Sequence, residues 1–133
     1  MVLFFVRRVF FALIYTLVFW GAFSDISEAR RLHPESFYQK KWCEKASGLI
    51  EYKLRDRTRV DCLTSQYAIE FDFGSKWAEA IGQALHYSLM TGKKPGIVLI
   101  LESEKDMKYW NRMNKVIQSY GLKIQTWPAG VLG

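Results

Sequence analysis

Arg59-Val60-Asp61-Cys62-Leu63-Thr64-Ser65-Gln66-Tyr67-Ala68-Ile69-Glu70-Phe71-Asp72-Phe73 reads as two short strands joined by a tight turn. Its second half alternates strictly, with Ile69, Phe71 and Phe73 on one face and Glu70 and Asp72 on the other. With Ser65-Gln66 as a two-residue loop, Thr64 faces Tyr67, Cys62 faces Ile69, Asp61 faces Glu70 and Arg59 faces Asp72. Ser-Gln is not a preferred hairpin pair, so this register depends on loop length alone.

Working outward, Leu49 to Leu54 forms a preceding strand across the turn Arg55-Asp56-Arg57-Thr58, which makes an antiparallel meander. Before it, Phe37 to Ser47 predicts a helix stopped by Gly48. After it, Ser75 offers an N-cap to a helix from Lys76 to Met90, with Trp77, Ile81, Ala84, Leu85 and Leu89 as its apolar stripe. Thr91-Gly92-Lys93-Lys94-Pro95 breaks that helix, and Gly96-Ile97-Val98-Leu99-Ile100-Leu101 is an apolar run of the kind buried on both faces of a sheet. Ser103 then caps a helix to Tyr120, Gly121 ends it, and Leu122 to Trp127 forms a last strand. The order α-β-β-β-α-β-α-β implies one α/β domain with a mixed central sheet. Trp42, Trp77, Trp110 and Trp127 all fall at apolar positions of this scheme.

The domain covers residues 30–133, because residues 1–29 read as a leader. Val9 to Phe23 carries no charge and follows Arg7-Arg8, and Ser27-Glu28-Ala29 places small residues at a cleavage site. The uncharged stretch is short of the roughly 20 residues that span a bilayer, which favours a signal peptide and export to the periplasm or beyond. The alternative is an uncleaved anchor in the inner membrane, since Met1 to Val6 is also apolar; the membrane would then be met only through this segment. The whole chain has 133 residues, 50% of them hydrophobic, with 19 Lys and Arg against 13 Asp and Glu. That excludes disordered and low-complexity classes and suits an anionic partner without naming one.

Asp61, Glu70 and Asp72 are the residues with chemical potential. Carboxylates directly opposite across a ladder repel, so the pair requires a cation, a shared proton or an arginine between them. Three carboxylates on one face with an apolar reverse side form an oxygen-rich set fit for Mg²⁺ or Mn²⁺. The other reading is a solvated strand face on which Arg59 pairs with Asp72. Basic residues at 40, 41, 45, 53, 55, 57, 59, 93 and 94 lie near the meander and the following turn, where they can track a phosphate backbone or simply face water. There is no P-loop, no dinucleotide-binding glycine pattern, no nucleophile elbow and no Cys-x-x-Cys, so no nucleotide cofactor is expected.

Asp61, then Glu70-Phe71-Asp72, then Gln83-Ala84-Leu85-His86-Tyr87 on the next helix resembles the PD-(D/E)XK nuclease-like superfamily. From Tyr38 to Trp127 the chain is more closely similar to a family of small exported bacterial proteins. The resemblance implies a restriction-endonuclease-like core and a metal-dependent nuclease hydrolysing phosphodiester bonds, with nucleic acid as partner. It implies Asp61, Glu70 and Asp72 as metal ligands and catalytic acids, and Gln83 as a hydrogen-bond donor to a carboxylate or phosphate. The superfamily has a lysine where this chain has Asp72; Lys76, one turn into the helix, is the candidate substitute. Without it the fold would serve as a catalytically silent binding module of the cell envelope. Glu44 and Glu51 are the contenders for an accessory acid.

Cys62 points away from Asp61, to the face of Ile69 and Phe71 that some helix must cover. If the helix from Phe37 to Ser47 covers it, Cys43 and Cys62 can bond; otherwise both remain buried, inert thiols.

Overall fold

An apolar run such as Ile97 to Leu101 has no face to give to water, so helices must cover it on both sides. In the computed structural model, which describes residues 31–131, these five residues are all buried within β4 (Lys94–Leu101). The leader and the cleavage point after Ala29 lie outside the described residues. The chain divides into two units, Met1–Leu32 and His33–Gly133, and the second carries the fold described below.

Its elements are α1 (Glu35–Lys45), β1 (Leu49–Lys53), β2 (Arg59–Leu63), β3 (Tyr67–Phe73), α2 (Trp77–Thr91), β4, α3 (Met107–Ser119) and β5 (Gln125–Gly130). The five strands form one mixed sheet in the order β1-β2-β3-β4-β5, antiparallel through β3 and parallel from β3 to β5. Alternation along β4 divides the core. Val98 and Ile100 pack with Tyr38 and Cys43 of α1, while Ile97, Leu99 and Leu101 pack with Ala80 and Ala84 of α2 and Met113 and Ile117 of α3. This is an α/β domain with one helix on one face of the sheet and two on the other. Among the described residues no helix is long and apolar enough to cross a membrane.

The expected hairpin register holds next to the turn, with Cys62 opposite Ile69 and Leu63 opposite Ala68, but the ladder ends there: the expected pairs Asp61–Glu70 and Arg59–Asp72 do not form, and Arg59 contacts Glu51 instead. Thr64 supplies what Ser65-Gln66 lacks. Its N–H donates to the Tyr67 carbonyl at 2.9 Å, and its Oγ1 accepts from the Tyr67 N–H at 2.9 Å, so the side chain closes the turn. Lys93 Nζ caps the Ser65 carbonyl at 2.7 Å.

Helix α1 covers Cys62, and Cys43 and Cys62 form a disulfide with Cα atoms 5.8 Å apart and both residues fully buried. The helix begins two residues earlier than the sequence suggests, after Pro34, and ends at Lys45 rather than Ser47. Gly48 N–H bonds the Cys43 carbonyl and Ser47 N–H bonds the Glu44 carbonyl, which puts Ser47 in the left-handed position (φ 54°) where glycine is usual. Glycine is needed one residue later. A Cβ at Gly48 would lie 2.5 Å from one bridge sulfur and 2.7 Å from the other.

Three other expectations are corrected. No side chain of Ser75 caps α2; a 3₁₀ turn over Gly74–Lys76 leads into it. Trp77, Ile81 and Ala84 of the expected stripe do meet the core and are joined there by Ala80 and Tyr87, whereas Leu85 and Leu89 are exposed, Leu89 by 82%. Small residues win that face because the helix lies close over β3 and β4. The last strand is Gln125–Gly130, three residues later than Leu122 to Trp127. Ile124 goes to the core beside α3, with Leu122 packed against it, and Trp127 fixes the strand by stacking over bare Gly96, where a Cβ would approach its ring to 2.8 Å. Ser103 does cap as expected, in a reciprocal pair with Asp106. The four tryptophans are half-buried at the edges of the two cores.

Candidate functional site

Continuing the β2–β3 register would pair Val60 with Phe71, but the Phe71 N–H donates instead to Asp61 Oδ2 at 2.7 Å. The Asp61 carbonyl is met from the other side by Gln39 Nε2 at 2.9 Å, and the same nitrogen reaches Glu51 Oε1 at 2.9 Å. Glu51, which faces this break from β1, is held at φ 53°, a left-handed conformation costing a non-glycine residue about 1–2 kcal/mol. The β1–β2 hairpin bends here. Cys62 belongs to the core under α1, while Val60, two residues away, packs with Leu54, Ala68 and Tyr87 beneath α2. Side chains thus take over backbone hydrogen bonds where the sheet splays, and the opening exposes Asp61 to its neighbours on β3.

Glu70 and Asp72 point from β3 toward α2, opposite Ile69, Phe71 and Phe73, and both are buried, to 4% and 3% exposure. The solvated-face reading therefore fails for these two acids. Asp72 Oδ1 accepts the Phe73 N–H at 2.9 Å. Glu70 Oε2 is buried with no hydrogen-bond partner, and the Glu70 and Asp61 carboxyls are close enough to perturb each other's ionisation.

Loss of water dominates the acid–base character of the cluster. Burial pushes the Glu70 carboxyl up to about 10, reinforced by the neighbouring charges of Asp61 and Asp72. Burial raises Asp61 to about 6, against the opposing hydrogen bond from Phe71. It also raises Asp72 to about 7, partly offset by the ammonium of Lys76 and reinforced by Glu35 and Glu79. Tyr87 donates to Gln83 Oε1 at 3.1 Å and lies against Glu70, and burial raises its phenol as well. At neutral pH the cluster holds at least one proton that separate, solvated acids would have released.

All five candidates, Asp61, Glu70, Asp72, Lys76 and Gln83, therefore belong to one neighbourhood: Lys76 through Asp72, and Gln83 through Tyr87. Glu51 joins it beside Asp61. Glu44 does not; it is exposed on α1, and the acid that this helix directs at Asp61 and Asp72 is Glu35. Glu35, Gln39 and Cys43 recur every four residues, so one face of α1 delivers an acid, an amide and a sulfur to the same edge of β2. Two polar residues in a buried helical stripe were the signal by which Glu35 and Gln39 could have been found.

The donor set is all oxygen, which suits a hard divalent cation, and the orphaned Glu70 oxygen is of the kind such an ion satisfies. Among the described residues, no three His, Cys, Asp or Glu side chains are gathered closely enough to hold an ion. Glu70 instead has its proton affinity raised by the charge of Asp61, with that of Asp72 adding to it. Neither a protein family nor a curated protein nor a solved structure matches this chain.

Proposed function

We propose that the domain is a divalent-metal-dependent phosphodiester hydrolase built on a restriction-endonuclease-like core. The observation that carries the reading is Glu70 Oε2, buried without a donor beside the carboxyl of Asp61. A charged trio of acids cannot persist in so dry a place, so the cluster either keeps its proton or exchanges it for a cation. To hold Mg²⁺ or Mn²⁺, Asp61, Glu70 and Asp72 would have to close in from where they stand; the ion would then supply charge neutralisation at the scissile phosphate and a more acidic water. Tyr87, itself held by Gln83, orients the Glu70 carboxyl. Lys76 places a positive charge next to Asp72 at the position where the superfamily resemblance lacks its own lysine.

One observation favours a second reading. Asp72 is buried on β3 where that lysine would stand, and a domain that keeps the fold without it would serve as a catalytically silent binding module of the envelope. Both readings place the domain outside the cytosol, secreted, periplasmic or held at the inner membrane by the N-terminal segment. The Cys43–Cys62 bond supports that placement, since such bonds persist in oxidising compartments.

Purified protein incubated with labelled linear DNA and RNA, with Mg²⁺ or Mn²⁺ and with EDTA, separates the two. Hydrolysis that requires metal and disappears in both Asp61→Asn and Glu70→Gln supports the enzyme. Mn²⁺ binding in calorimetry, weaker at lower pH and lost in Glu70→Gln, with no hydrolysis, supports the silent module.

A further inference from the structure

The hairpin that bends at Asp61 carries a sequence that its own fold disfavours. Lys53-Leu54-Arg55-Asp56-Arg57-Thr58-Arg59 holds four exposed cations and one acid. Both oxygens of that acid are already engaged: Asp56 Oδ1 accepts from Thr58 N–H at 3.0 Å and from Thr58 Oγ1 at 2.6 Å, and Oδ2 meets His86 Nε2 of α2 at 2.7 Å. Arg59 has only a long contact of 3.4 Å to Glu51, while its side chain stays 61% exposed. The loop therefore presents exposed positive charge that is compensated only in part, by Glu51 at Arg59.

Two features show that this charge is kept against the interest of stability. Lys53 and Arg59 are direct partners in the β1–β2 ladder, and like charges opposite one another repel. Leu54 N–H bonds the Thr58 carbonyl and Arg57 N–H bonds the Leu54 carbonyl, closing a three-residue loop whose last residue is left-handed. That residue is Arg57 at φ 74°, in a position glycine fills without steric cost. Local rules broken twice in seven residues, each time by a cation, mark a surface selected for what it binds.

The hairpin also packs against residues that border the acidic site. Leu54 and Val60 pack with Tyr87, which interacts with Glu70, and Asp56 ties the tip to the preceding residue of α2, His86. We propose that residues 53–59 form a preorganised clamp for the phosphate backbone of a nucleic-acid strand, with Arg55, Arg57 and the Lys53–Arg59 pair contacting successive phosphates beside the acidic site. The choice of a phosphodiester ligand rests on the hydrolase reading of that site. A lipid surface fits less well, because the tip offers nothing to insert: its one apolar residue, Leu54, is buried. Arginine dominates the loop, which suits phosphate oxygens taken two at a time.

The test is binding of a labelled 20-nucleotide single-stranded DNA to the full chain in EDTA across a salt series, so that hydrolysis plays no part. Each lost phosphate contact should lower the log–log salt slope by about 0.7 and weaken binding about fivefold at 0.1 M salt. Arg55→Ala with Arg57→Ala should therefore cost about 25-fold, whereas Lys115→Ala with Lys123→Ala on α3 and after it should cost little. Arg57→Gly should weaken binding while leaving the thermal midpoint no lower than that of the parent, a split that a merely structural arginine would not produce. Hairpin variants that bind like the parent, an equal loss in the α3 pair, or tighter binding to phosphatidylglycerol vesicles than to DNA would each overturn the clamp. If the DNA binds through the hairpin but is never cut with metal added, the clamp stands and the hydrolase reading falls.

Discussion

Replacing Glu70 by glutamine should stabilise the protein at neutral and alkaline pH, although it removes a buried hydrogen-bonding carboxyl from the centre of the site. An unfolded Glu70 ionises near 4.5, whereas in the folded protein burial and the charges of Asp61 and Asp72 keep it protonated up to about 10. Between those values the folded state binds one more proton than the unfolded state, so stability falls as pH rises. Its contribution is fully present below pH 4.5 and is lost at about 1.4 kcal/mol per pH unit, which amounts to about 3 kcal/mol by pH 7. Asp61 and Asp72, raised to about 6 and about 7, add losses of the same sign over lower windows. Glutamine has the shape of protonated glutamate, does not titrate, and can donate to an ionised Asp61. Thermal melts in EDTA from pH 4.5 to 8.5 should therefore show the two proteins alike at the acid end. At pH 8, where the loss reaches about 5 kcal/mol, the Glu70→Gln midpoint should be higher by roughly 20 °C, and its pH dependence should be flatter without vanishing. Parallel curves, or a variant less stable at pH 8 than the parent, would refute the reading that the folded protein keeps Glu70 protonated.

The bridge between Cys43 and Cys62 spans a sequence separation of 19, for which chain entropy gives about 3 kcal/mol, so urea midpoints should drop on reduction. Two free thiols in denatured, unreduced protein taken from its own cells would remove both the bridge and the support it lends to export. Gly48→Ala should destabilise the oxidised protein by about 1–3 kcal/mol through contact with both sulfurs and be milder once both cysteines are alanine; equal penalties in the two backgrounds would mean that the sulfurs are not its neighbours. Gln39→Leu should cost about 1–3 kcal/mol by leaving the Asp61 carbonyl and Glu51 without their shared donor, and it should weaken Mn²⁺ binding as well; unchanged binding would confine Gln39 to a structural role.

The run from Ile97 to Leu101 could only be an interior strand, since no alternation offers a face to water. The strict alternation from Ile69 to Phe73 assigned the acids and the aromatic residues to opposite faces. With Thr64 closing the turn, loop length also carried the register as far as Cys62 opposite Ile69, next to which the ladder breaks at Asp61. These are local facts, because side-chain periodicity and loop length act within a few residues. Sequence likewise put Cys43 and Cys62 on surfaces that could meet, but whether α1 was the covering helix depended on packing between elements distant in the chain.

The shift of β5 by three residues followed from Trp127 finding bare Gly96 across the sheet, a match no local pattern encodes. Leu85 and Leu89 fit a helical stripe equally well on either side of α2; the closeness of the sheet gave the inner side to alanines. Membership of the site was decided in the same way. Glu44 and Glu35 are alike as acids on α1, and only the placement of the helix over β2 and β3 turned Glu35 toward Asp61 and Asp72. The proton held by Glu70 is the most tertiary property of all, because desolvation arises from every element that closes over β3. The order Glu-Phe-Asp in the chain specifies which groups can ionise, and the fold decides at what pH they do.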